Sequence, residues 1–254
     1  MLNKITFNSI SEVLNFIDKH EVTEGYKANM ASVEGVYSFT KTNDFNEAMN
    51  LLKHGWNSGA QRLNTKLGTF KTGDGFKTKQ FYSVAGYQCS VPRYLQGIPT
   101  NMVNSKRVIT KNKVVNITKD ICYNAGWDAD KMIEQGVKFV ELVNKIESTG
   151  TRCNVFVMLG AQRYNNKVCF KIKIKDSSQR MNIKQLAFPL AHPSMLRRIL
   201  FALMERHETT KDMYNGYGSP ISFDELQSEF HKEYFVPREI EEEHITDANK
   251  YWCD

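Results

Sequence analysis

The run Cys153-Asn154-Val155-Phe156-Val157-Met158-Leu159 is apolar at every position but one. A strand of that kind is covered on both faces, as the central strands of parallel sheets are. Upstream lies a helical pattern from about Ala129 to Thr149, with Ile133, Val137, Val140, Val143 and Ile146 on its inward face. Its outward face carries Glu134 with Lys138 and Glu141 with Lys145, each acid four residues before its base, and Gly150 supplies a C-cap. Before that helix, KVVNIT at 113–118 suits a strand. Strand, helix, strand in this order predicts a crossover joining two parallel neighbours. We therefore expect an α/β fold, a mixed and mostly parallel sheet flanked by helices, with an N-terminal α+β extension.

After Leu159 the segment KVCFKIKIK alternates, with Val168, Phe170, Ile172 and Ile174 on one side and Lys167, Lys171, Lys173 and Lys175 on the other. This predicts an edge strand guarded by lysines. Residues 2–7 alternate as a short strand, and Ser9 stands three before Glu12 in capping-box spacing ahead of a helix. Residues 35–40 look like another strand. Asp44 opens a helix whose apolar positions run from Phe45 to Leu67, with Gly55 and Gly59 inside the stripe, where the helix bends or packs closely. FKTGDGFKTKQFYSVAGYQ reads as a hairpin around Gly73-Asp74-Gly75. The stretch VPRYLQGIPTNMVNSKR, with Pro92, Gly97 and Pro99, reads as an irregular surface loop. HPSMLRRILFALMERH reads as a buried helix that carries Arg197 and Arg198, whose guanidinium groups need carboxylate or carbonyl partners. The expected domains are an N-terminal portion 1–106, a core 107–220 and an acidic segment 221–254.

The net charge of +6 hides a segregation: residues 221–254 hold ten acids and three bases, a charge of −7, which leaves +13 on residues 1–220. A basic body with an acidic end can bind phosphates, or the two parts can neutralise each other within the fold. The five cysteines have no metal or redox spacing and are expected as free, mostly buried thiols. MLNKITFNSISEV has no apolar run of signal-peptide length and no membrane span is legible, so a cytoplasmic chain without a membrane partner is expected.

The order of strand, polar loop, amphipathic helix, buried parallel strand and hairpin across 107–175 resembles the opening of the von Willebrand factor A fold. That family holds a divalent metal with a D-x-S-x-S motif at the end of its first strand. Here the matching positions read Asn116, Ile117, Thr118, Lys119, Asp120. The resemblance implies a degenerate site in which Asn116, Thr118 and Asp120 offer oxygens to magnesium and capture a protein partner. The same residue types also cap and turn the backbone at strand ends. SVPRYLQGIPTNM and LAFPLAHPSMLRR are similar to stretches of an uncharacterised family found in bacteriophages and other mobile elements, which implies a phage-type protein in the cytoplasm of a bacterial host.

The leading expectation is thus a non-enzymatic binding protein that recognises a protein partner through the loops after Asn116 and around 90–107, where Arg93, Tyr94, Lys106 and Arg107 lie. The alternative is nucleic-acid binding by the basic body, because Lys71, Lys77 and Lys79 interleave with Phe70, Phe76, Phe81 and Tyr82 as single-strand platforms do. A hairpin with aromatics inward and lysines outward explains the same alternation. A third class, an enzyme using His192, Arg198, Glu205 and His207, has no nucleophile elbow or phosphate loop to support it. His192 before Pro193 also suits a helix cap.

Overall fold

A computed structural model describes residues 2–23, 31–67, 76–109, 113–211, 213, 217–241 and 251–253. In chain order the elements are β1 (Leu2–Phe7), α1 (Ile10–Lys19), α2 (Tyr37–Thr40), α3 (Phe45–His54), α4 (Asn57–Leu67), β2 (Phe76–Ser83), β3 (Gln88–Cys89), α5 (Val91–Leu95) and β4 (Met102–Ile109). There follow β5 (Val114–Asp120), α6 (Ala129–Ser148), β6 (Arg152–Arg163), β7 (Asn166–Lys175), α7 (Ile183–Ala191), a π turn (Met195–Leu200), α8 (Phe201–Arg206), β8 (Ser219–Pro220), α9 (Phe223–Gln227), β9 (Glu233–Val236) and β10 (Trp252–Cys253).

The central sheet has the order β1-β7-β6-β5-β9-β10, with β8 paired to β6. It is mixed and mostly parallel. Strands β5 and β6 run side by side in parallel, from Val114 opposite Arg152 to Asp120 opposite Met158, and α6 bridges them as expected. Gly150 follows α6 with φ +89°, and its N–H reaches the Glu147 carbonyl, so the glycine does end that helix. Ser9 and Asp44 cap α1 and α3 by accepting from the N–H of Glu12 and Glu47.

One face of the sheet presents Val115, Ile117, Val155, Val157, Leu159, Phe170 and Ile172 to the main core, built with Phe139, Val140, Leu142 and Val143 of α6 and with α7, the π turn and α8. The other face is covered by a smaller cluster in which Ile221, Leu226 and Phe230 lie over Met158, Cys169 and Phe235. Helix α6 buries more than the predicted stripe, since Phe139 and Leu142 are also inside. It is packed between the sheet and α7.

Four expectations are corrected. Strand β7 is interior, because β1 pairs with it in parallel on its outer side. Its lysines point at a face of the sheet: Lys167 pairs with Glu225, Lys171 with Glu233 at 2.8 Å, and Lys173 with Asp176. A register shift between Val155 and Phe156 turns Lys175 inward, where it meets Glu147 at 2.7 Å and the Cys153 carbonyl at 3.1 Å. Residues 37–40 are helical rather than extended. The single helix expected from Asp44 is two, broken at Gly55 (φ +87°), where the N–H of Trp56 bonds the Lys184 carbonyl of α7 and a Cβ would meet that oxygen at 2.6 Å. The segment 91–107 is a short helix and a strand rather than irregular. The Gly73-Asp74-Gly75 turn lies outside the described residues.

Cys122, Cys153, Cys169 and Cys253 are buried and Cys89 is exposed, all free. No described helix is long and apolar enough to cross a membrane.

The contact between α6 and α7 runs through Gly136, where a Cβ would sit 2.5 Å from the Ala191 Cβ and 2.9 Å from the Leu190 carbonyl oxygen. Helix propensity alone favours alanine there by about 1 kcal/mol. Overpacking against backbone outweighs it, so Gly136→Ala is expected to lower the urea unfolding free energy by about 1–3 kcal/mol. Unchanged or raised stability would show that the two helices are not in this contact.

Candidate functional site

In open α/β sheets, ligands bind beyond the carboxyl ends of the strands where the strand order reverses. That crevice lies here between β5 and β9, which run in parallel from Ile117 opposite Tyr234 to Lys119 opposite Val236. The chain fills it itself. Lys119 is fully buried and its Nζ donates to the carbonyls of Pro237 (2.5 Å) and Arg238 (2.8 Å). Asp120 is also fully buried; Oδ1 accepts the N–H of Cys122 at 2.8 Å, and Oδ2 lies 3.0 Å from Arg238 Nε. That second contact is an ion pair without an aligned hydrogen bond. Arg238 further donates to the carbonyls of Cys122 and Ile221, and the N–H of Ile240 bonds Gln135 Oε1 at 2.6 Å.

Burial dominates the ionisation of this pair. It pushes the Lys119 amine down to about 7, against the opposing pull of the Asp120 carboxylate, and it raises the Asp120 carboxyl, which Arg238 holds back. A neutral amine keeps two N–H donors, which matches the two carbonyls it faces.

The oxygens expected to hold magnesium do not converge. Asn116 Oδ1 accepts from Asn154 Nδ2 at 3.0 Å, Thr118 Oγ1 donates to Glu233 Oε2 at 3.4 Å, and Asp120 is engaged by Arg238 and Cys122. All three share one face of an extended strand, so Asn116 and Asp120 stand about 13 Å apart by strand rise. A magnesium ion needs its ligands at about 2.0–2.1 Å. The residues therefore do not fit a single divalent ion, and no group of three or more His, Cys, Asp or Glu side chains that could hold a metal occurs among the described residues.

The π turn spaces its two arginines so that both reach the segment 31–43, and Arg197 also reaches the loop after β5. Arg198 is fully buried and donates to the carbonyls of Ala31, Val33, Thr42 and Asn43 and to the hydroxyls of Thr40 and Thr42. Arg197 donates to the carbonyls of Phe39 (2.6 Å) and Trp127 (2.7 Å) and stacks over the Phe39 ring at 3.9 Å. Carbonyls, rather than the acidic segment, satisfy both. His192 caps α7 between Trp56 and Phe188, its Nδ1 accepts the Ser194 N–H at 3.1 Å, and burial lowers it to about 4, so it is neutral. Glu205 bonds Tyr217 and the Ala31 N–H, while His207 bonds Thr209, so the suggested acid-base cluster has separate partners.

Of the remaining basic residues, Lys77, Lys79, Lys106 and Arg107 lie on a second sheet of order β2-β4-β3, and Arg93 lies on α5. No side chain between 78 and 106 is buried, so the described side chains of this arm form no core. Phe81, Tyr82, Tyr87 and Tyr94 are 39%, 50%, 60% and 64% exposed, which rules out the arrangement with aromatics turned inward. Lys79 stands directly opposite Lys106, and Lys106 Nζ lies 5.7 Å from the Phe81 ring. On the opposite face Arg93, held by Thr100, stacks over Tyr82 at 4.2 Å. Tyr94 follows Arg93 in α5. Lys77 and Arg107 belong to β2 and β4, and Lys71 lies outside the described residues.

The chain belongs to the family described as Domain of unknown function (DUF7192), whose model matches residues 2–251. No curated protein and no solved structure matches it. The family's description carries no activity, so the reading of this member rests on its own side chains. Sequence reasoning missed the roles of Lys119 and Arg238. The available signals were a lysine inside an apolar strand and an arginine directly after a proline, both common elsewhere.

Lys119 has a measurable consequence. Its folded pKa lies below the unfolded value, so between about 7 and 10.5 the unfolded chain holds a proton that the folded chain does not. Stability from this group therefore rises with pH across that window, and the full penalty is present below it. The stability difference between wild type and Lys119→Met is expected to drift towards the wild type by on the order of 1 kcal/mol per pH unit from pH 7 to 9. Parallel curves in chemical denaturation would place the lysine outside this environment.

Proposed function

We propose that this protein binds single-stranded nucleic acid through the arm formed by β2, α5 and β4. The observation that carries the reading is the directly opposed pair Lys79 and Lys106 beside exposed Phe81. Like charges directly opposite one another destabilise a sheet, and a bound phosphate relieves that repulsion. Residues 76–109 contain Lys77, Lys79, Arg93, Lys106 and Arg107 and no acid. Lysines of the main sheet, by contrast, meet Glu225, Glu229 and Glu233 of the acidic segment, so their charge is balanced within the fold. Aromatic faces next to cations are what sequence-tolerant single-strand binders use, with stacking of about 1–3 kcal/mol per base.

A second reading, recognition of a protein partner by an A-like core, draws support from the strand order β7-β6-β5-β9 with β7 antiparallel to β6. Among the described residues Asn116, Thr118 and Asp120 do not converge on one ion, so the metal-borne capture of a carboxylate has no support there. The arm includes the segment 90–107 that this reading also uses, so an interaction there that is insensitive to salt would favour a protein over a nucleic acid.

Fluorescence anisotropy with a labelled oligothymidine and an oligouridine tests the first reading. Affinity is expected to fall steeply with salt, and Lys79→Ala with Lys106→Ala should flatten the log–log slope by about 1.4, at about 0.7 per phosphate contact. Tyr82→Ala should weaken binding by roughly 5- to 150-fold, the equivalent of about 1–3 kcal/mol of stacking, without changing the circular dichroism. Absence of binding at low salt, or an unchanged slope in the double variant, would remove the arm from the account.

A further inference from the structure

A cavity of about 420 Å³ opens beyond the carboxyl end of β5, beside Leu159 of β6, between the loop 121–128, the π turn and the strip Tyr217–Pro220. Its walls are largely aromatic and aliphatic: Phe39, Tyr123, Leu159, Phe201 and Tyr217, with the rings of Phe201 and Tyr217 stacked 3.6 Å apart and 5° from parallel. The strip is seated by Gly218, whose φ of +74° and a virtual Cβ only 2.5 Å from the Gln162 carbonyl oxygen admit no larger residue. Asn124, Ala125 and Ser219 form an exposed mouth.

Arg197 lines this cavity while 2% exposed, and no carboxylate lies within ion-pair distance of it among the described residues. Two of its five donors go to the carbonyls of Phe39 and Trp127. Those contacts and the Phe39 ring fix the guanidinium plane at the cavity wall without neutralising its charge. A buried cation with no carboxylate in direct contact is costly: burial lowers its basicity to about 10, and the Asp128 carboxylate, beyond ion-pair distance, opposes that only in part. An apolar, ring-lined cleft with one oriented cation is the composition of a small-molecule site, and the volume suits one or two fused rings rather than a dinucleotide.

We propose that this cavity binds a small planar aromatic molecule carrying a single oxyanion, a carboxylate or a phosphate, with the anion on Arg197 and the ring against Phe201 and Tyr123. The site is independent of the arm. The oxyanion of the ligand gives the Arg197 guanidinium a direct ion-pair partner, and the cleft shields the ring from water.

Thermal unfolding of the full chain tests it with two sets of probes: AMP and UMP for the phosphate source, indole-3-acetate and 4-hydroxybenzoate for the carboxylate source. Each is compared with its uncharged counterpart: adenosine, uridine, indole-3-acetamide and 4-hydroxybenzamide. At least one anion is expected to raise the midpoint by several degrees, as binding to the folded state alone requires, while its neutral counterpart leaves it unchanged. Whichever set responds identifies the oxyanion. Ala125→Trp, which fills the mouth from its exposed rim, should abolish the shift while leaving the unliganded midpoint in place, and Arg197→Gln should abolish it too. Should Arg197→Gln fail to fold, the Ala125→Trp comparison decides alone. Silence across the whole panel, equal shifts from charged and neutral probes, or a shift that survives Ala125→Trp each overturn the proposal.

Discussion

Two opposite charges leave water at the end of β5, and the arrangement of the carboxyl rim depends on how they are satisfied. Lys119 and Asp120 are consecutive, so strand alternation sends their side chains to opposite faces of the sheet, and neither can neutralise the other by direct contact. Each needs its own partner. The turn after β9 provides both, with the carbonyls of Pro237 and Arg238 for the amine and the guanidinium of Arg238 for the carboxylate. Strand β9 is thereby held against β5, which would otherwise be an edge. The price is a closed switch point, since the backbone that satisfies the lysine occupies the crevice where a fold of this type ordinarily receives a ligand.

With that crevice closed, the two proposed binding places lie elsewhere. One is the flank of the same rim, where the loop after β5 swings away from β9 towards the π turn and leaves a ring-lined cleft around Arg197. The other is the arm. The two differ in kind. The cleft is deep, mostly apolar and built around one cation, whereas the arm is shallow, two-faced and carries several cations among aromatic rings. A single ligand cannot suit both, because a buried guanidinium selects one oxyanion while spaced surface cations select a polyanion.

Much of the framework was legible in the sequence because it follows from periodicity. The apolar run 153–159, the amphipathic helix ending at Gly150 and the caps at Ser9 and Asp44 depend on local chemistry, and each stands where the pattern puts it. The failures share a cause, which is that a partner distant in sequence sets the outcome. The lysine alternation of β7 looks like an edge because nothing local announces that β1, more than 150 residues earlier, pairs outside it. Gly55 looks like a tolerated interior glycine until the Lys184 carbonyl of α7 claims the next N–H. Lys175 alternates with its neighbours in the sequence, and one shifted residue in the ladder sends it instead to a buried carboxylate on α6.

The candidate site was less legible for the same reason, magnified by burial. Asn116, Thr118 and Asp120 do lie on one face, as alternation requires, yet a shared face is a weaker condition than a shared ion. An extended segment separates alternate residues by about 6.6 Å, so three such oxygens converge only if the chain turns sharply after the first. Here β5 stays extended through Asp120, because its parallel ladder with β6 continues to Met158. The length of that ladder turns a set of prospective ligands into three separate structural contacts, with Asn154, Glu233 and Arg238. Sequence spacing records which oxygens are present, and the point at which a strand stops pairing decides whether they can act together.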